Sequence, residues 1–70
     1  MTRVEIINVL EANGLFPDEQ KAITSTGEEG LIEVTLTSGK RLLVSENMIE
    51  GGRQCGQLWV KERGLLLENQ

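Results

Sequence analysis

Histidine and tyrosine are absent from this sequence, and cysteine, proline, tryptophan and phenylalanine occur once each. Without histidine there is no Ser-His or Cys-His nucleophile pair and no imidazole to hold a metal. The single Cys55 excludes an internal disulfide framework and a four-cysteine zinc site. No apolar run approaches the roughly 20 residues of a membrane helix. The N-terminal stretch is interrupted by Glu5 and Glu11 and does not read as a secretory signal. The expectation is a soluble, cytoplasmic, non-enzymatic protein with a reduced thiol and no cofactor, metal or membrane partner.

Seventy residues accommodate one domain, 1–70. An apolar fraction of 39 % supplies a small core, while a chain this short hides only about 60 % of its unfolded surface. The net charge is −4 and unevenly spread. Residues 1–35 hold two basic and seven acidic side chains, and residues 36–70 hold five basic and four acidic ones. This balance disfavours non-specific nucleic-acid binding, which needs several cations in one place. Solubility accounts for the acidic half more simply than steering toward a basic partner does.

Residues 3–12 read as a helix with marked ends, although their β-branched residues make a strand the competing reading. Thr2-Arg3-Val4-Glu5 fits a capping box, Met1 and Ile6 a hydrophobic staple, and Asn13-Gly14 a C-terminal stop that Leu15 closes against Leu10. Val4, Ile6, Ile7, Val9 and Leu10 span more than half of the helical wheel, which predicts burial on more than one side. Phe16-Pro17-Asp18-Glu19 reads as a turn.

The remainder alternates as strands do, over 21–26, 31–36, 40–45 and 57–63, with Leu65-Leu66-Leu67 as a last short one. A three-residue loop, Thr37-Ser38-Gly39, pairs Leu36 with Lys40, Val34 with Leu42 and Ile32 with Val44. That register puts the apolar set on one face, and on the other it puts Thr35 opposite Arg41, Glu33 opposite Leu43, and Arg41 diagonal to Glu33. A two-residue Ser-Gly loop is the competing register. Residues 46–50 suit one helical turn capped by Ser45. The expected fold is α+β: an N-terminal helix on an antiparallel meander of four to five strands, open or partly closed as a barrel.

Candidate sites are few. Residues 51–56, with three glycines, Arg53 and Gln54, suit a flexible connection better than an anion cradle, because no Gly-Lys-Ser/Thr and helix follow. Cys55 has Arg53 near it but no base, so a half-exposed inert thiol is expected. Trp59 lies between basic residues and suits a core position, a protein interface or, with lower weight, base stacking. The apolar set that one helix leaves uncovered is Leu31, Leu43 and Trp59. An interface centred there, flanked by Arg41, Arg53 and Lys61, predicts a protein-interaction module that binds another protein or its own copy as a homodimer. The alternative is a nucleic-acid-binding barrel using Lys40, Arg41, Arg53, Lys61 and Arg63.

The stretch from Ile32 through Ser38-Gly39-Lys40 to Glu50 resembles hairpins in many small bacterial proteins, including a small flagellar motility family, and implies no function. In size and acidity the chain is similar to short accessory proteins of phages and mobile elements, among them anti-CRISPR inhibitors. That likeness implies an inhibitor or adaptor acting on a host protein.

Overall fold

The computed structural model describes residues 2–20 and 23–65, the last two by backbone alone. One helix, α1 (Arg3–Ala12), precedes five strands: β1 (Ile23–Ser25), β2 (Leu31–Thr35), β3 (Lys40–Ser45), β4 (Arg53–Cys55) and β5 (Leu58–Leu65). All pairings are antiparallel, in the order β1-β2-β3-β5-β4. This is the expected α+β fold, with an open sheet rather than a barrel.

The ends of α1 follow from its capping residues. The Glu5 amide donates to Thr2 Oγ1 at 3.2 Å, and the Thr2 amide donates to Glu5 Oε1 at 3.1 Å, completing the capping box. At the other end the Leu15 amide reaches the Leu10 carbonyl at 2.9 Å and the Gly14 amide the Glu11 carbonyl at 3.0 Å. These are the paired bonds of a Schellman stop, with Gly14 at φ +79°. Met1, the other half of the expected staple, lies outside the described residues. Burial of α1 is narrower than the apolar wheel predicts. Ile6 and Leu10 are buried and Ile7 and Val9 half-buried, but Val4 is 65 % exposed. A five-stranded sheet offers a single surface for the helix to rest on, so the far side of the apolar arc stays in water.

The segment after α1 is more than a turn. Pro17 is buried and bridges Leu36. The Thr37 amide donates to the Phe16 carbonyl and the Asp18 amide to the Thr35 carbonyl, both at 2.8 Å. These bonds flank Pro17, which therefore sits at a position where the ladder needs no N–H from it.

The β2–β3 hairpin has the three-residue loop. Ile32 pairs with Val44, Val34 with Leu42 and Thr35 with Arg41. The Leu36 amide donates to the Lys40 carbonyl at 2.8 Å, and Gly39 takes φ +94°. Lys21 and Ala22 of the expected first strand lie outside the described residues, as do Leu66 and Leu67 of the last. Two other expectations are corrected. Residues 46–50 form no helical turn. Ser45 Oγ instead accepts from the Asn47 amide at 3.0 Å, a local bond that competes with helix. Residues 53–55 are an edge strand rather than a flexible connection, paired to β5 through Cys55↔Leu58. Gly56 at φ +61° opens the two-residue turn between them, as in a type II′ hairpin.

The core lies between α1 and one face of the sheet. Ile6 and Leu10 meet Val34, Leu36, Leu42, Val44, Cys55, Leu58 and Val60, with Val9, Leu15, Ile23 and Ile32 at the margin. Cys55 is 2 % exposed, so its thiol is a small core hydrophobe and not half-exposed. No described helix is long and apolar enough to cross a membrane.

Candidate protein-interaction face

Strand alternation turns every second side chain of β2, β3 and β5 away from α1. The register aligns these outward residues in rows. Leu31 stands opposite Ser45, and Ser45 opposite Trp59. Glu33 stands opposite Leu43, and Leu43 opposite Lys61. Thr35 stands opposite Arg41. On β4, Gln54 extends the first row beside Trp59.

The geometry therefore brings together five of the six residues singled out from sequence: Leu31, Leu43, Trp59, Arg41 and Lys61. Arg53 does not join them. It pairs with Val60, whose side chain is in the core, so Arg53 emerges on the helix side at the sheet edge. It is exposed there, beside a shallow groove of about 290 Å³ that Lys40 and Glu62 also line.

Leu31, Leu43 and Trp59 are each half-buried, and Trp59 is outside the core cluster. Ser45, flanked on its two sides by Leu31 and Trp59, is only 5 % exposed. Two large side chains shading one small one make a low apolar platform. It is formed by neighbours on three strands that are distant in sequence.

A charge network borders the platform. Arg63 Nη1 donates to Glu33 Oε2 at 2.8 Å, and Arg41 Nη1 lies 3.7 Å from Glu33 Oε1. Glu33, its side chain 18 % exposed, thus ties β2 to both β3 and β5. The Arg41 contact is the diagonal pair expected from register. The Arg63 contact joins β2 and β5, two strands that are not neighbours in the sheet. Arg41 faces Gly64 while the next residue, Leu42, faces Glu62, which leaves Arg63 as the extra residue of a bulge. Gly64 is thus within β5 rather than at a bend that ends it. Arg41 Nε is shut off from solvent with no acceptor among the described residues.

The five cations of the nucleic-acid alternative are dispersed or engaged. Arg41 and Arg63 share Glu33, and Lys40 Nζ is 3.4 Å from Glu62 Oε1 on the other face. Among the described residues no three carboxylates or thiols converge as a metal-ligand set. No family model, curated protein or solved structure matches this chain.

Proposed function

We propose that this chain is a non-enzymatic protein-interaction module whose open sheet face docks onto a different protein, in the manner of an adaptor or inhibitor. The observation that carries this reading is the platform of Leu31, Leu43 and Trp59, half-buried side chains on the sheet face turned away from α1. A tryptophan in an apolar patch with a charged rim is a composition that concentrates binding energy at interfaces.

Charge selects the partner. On the outward side of β2, β3 and β5 the charged residues are Glu33, Arg41, Lys61 and Arg63, three cations to one carboxylate. Two copies meeting face to face would oppose like charges, whereas an acidic rim on a different protein would complement them. Of the two occupants expected from sequence, another protein or a second copy, the reading therefore favours another protein with an acidic rim.

Iodide quenching of Trp59 with light scattering on the same sample tests the platform. A monomer whose tryptophan is quenched readily supports it. A monomer with blue-shifted, quencher-resistant emission would return Trp59 to a closed interior and overturn the reading. Once a partner is captured, Trp59→Ala is expected to weaken its binding at least tenfold, with modest salt dependence. A steep fall in affinity with salt would point to phosphate contacts instead.

A further inference from the structure

A second concavity, of about 430 Å³, lies between α1 and the segment over residues 16–20. Its described lining is Ile7 and Glu11 from α1, residues 16–20, and Thr37 from the β2–β3 loop. Its volume is that of a ligand pocket, for which about 300–1,000 Å³ is usual. It shares no residue with the Trp59 platform.

Two properties set this groove apart from a solvated crevice. The first is its apolar content. Phe16, the only phenylalanine of the chain, is 55 % exposed beside the half-buried Ile7 and the buried Pro17. The Phe16 and Asp18 backbones are bound to β2 and its loop on either side of Pro17, so the ring is presented from a fixed support. The second is charge of one sign. Glu11, Asp18 and Glu19 line the groove, and none of its described lining residues is a cation. Asp18 Oδ1 accepts from the Gln20 amide at 2.9 Å, which holds that carboxylate in place.

We infer that this groove docks an extended segment of a partner protein carrying an apolar side chain flanked by lysine or arginine. The apolar anchor would lie on Phe16 and Ile7, and the flanking cations would meet Glu11, Asp18 and Glu19. An aromatic face also attracts the cations themselves. An acidic or purely apolar segment gains nothing from the three carboxylates, and that complementarity selects the occupant. The inference does not rest on the Trp59 platform. With both in use, the chain would bridge an acidic surface on one side and a basic segment on the other.

The test is fluorescence anisotropy with a dye-labelled decapeptide of alternating lysine and leucine, compared with its glutamate–leucine counterpart. The expected result is saturable binding of the lysine peptide only, weakened at least tenfold by Phe16→Ser and by the double substitution Asp18→Asn with Glu19→Gln. Trp59→Ala is expected to leave peptide affinity unchanged, which separates failure of this groove from failure of the platform. Phe16 is largely exposed and Asp18→Asn keeps an acceptor for Gln20, so both variants are expected to melt as wild type does. Failure of the lysine peptide to bind, equal binding of the glutamate peptide, or folded variants that bind like wild type would each overturn the proposal.

Discussion

Gly39 offers a sharp test of why the β2–β3 hairpin has its register. Its φ is +94°, and a β-carbon built on it meets nothing within 4 Å. A substitution there therefore tests backbone conformation alone, with no clash against a neighbour. For an L-residue the left-handed region costs about 1–3 kcal/mol, least for asparagine and most for β-branched side chains. Stability is expected to fall in the order Gly, Asn, Ala, Val, with Ala costing about 1–2 kcal/mol and Val about 3 kcal/mol. In a domain of this size about 1 kcal/mol moves the midpoint by roughly 4–8 °C, so Val is expected to lower it by more than 10 °C. Thermal and urea unfolding of the four proteins would measure the series, and the Val34–Leu42 pairing in each would be checked by cross-strand NMR contacts. A D-alanine at position 39, placed by chemical synthesis, reverses the preference for the sign of φ and is expected to recover the loss. A valine variant within 0.5 kcal/mol of wild type, or a series without this order, would refute the reasoning that the three-residue loop depends on glycine.

Four further outcomes follow from the described geometry. Thr2→Ala leaves the first amides of α1 without their cap and is expected to cost about 1 kcal/mol in urea unfolding. Hydrogen bonding first by the Thr2 backbone and then by its side chain holds the Glu5 carboxyl below its usual 4.5. A depressed folded-state value contributes stability above pH 4.5 that disappears as pH falls through the lower folded value, so Glu5→Gln is expected to flatten the acid limb of stability against pH. Gly52→Ala puts a β-carbon 3.1 Å from both the Ile49 and Val60 carbonyl oxygens, two backbone groups with little freedom to retreat. It is expected to destabilise by about 1–2 kcal/mol, whereas a neutral melt would show that β4 can shift. Glu33→Gln and Arg63→Met, taken as a double-mutant cycle, are expected to give a coupling of about 0.5–1 kcal/mol that shrinks in high salt; zero coupling at low salt would dissolve the network.

What could be read from the sequence was what short-range rules govern. The α1 caps, the loop at Gly39 and the alternation of β2 and β3 each depend on residues within about four or five positions of one another. The register then follows, because a one-residue slip would send Val34 and Leu42 into water. What escaped depends on distant partners. Strand β4 is only three residues long, and its apolar content is Cys55 alone, so nothing in its periodicity announces pairing. The Gly56-Gln57 turn was its one visible signal, since glycine followed by any residue suits a type II′ hairpin. The face on which Arg53 emerges follows from that pairing and so escaped with it. The Arg63–Glu33 pair escaped for a related reason: it joins β2 and β5, two strands that are not neighbours in the sheet. Val4 shows the opposite limit: an apolar residue inside a well-capped helix stays exposed when the sheet has no second surface to offer it.

The charge asymmetry along the chain becomes an asymmetry in space. Glu11 of α1 gathers with Asp18 and Glu19 at the Phe16 groove, while Arg41, Lys61 and Arg63 lie across the sheet on the other face. This bears directly on self-association. Contact through two platforms would be symmetric and closed, but it would set three cations against three around a shared apolar centre. Contact of one copy's platform with another's groove would satisfy the charges, but it is a head-to-tail arrangement that closes only if its rotation does. The first weakens at low salt and the second strengthens there, because screening relieves like-charge repulsion and erodes opposite-charge attraction alike. Light scattering across a salt series at fixed protein concentration thus separates the two geometries by the sign of the change. A monomer at every ionic strength leaves both surfaces available to other proteins, which is the state that the proposed bridging role requires.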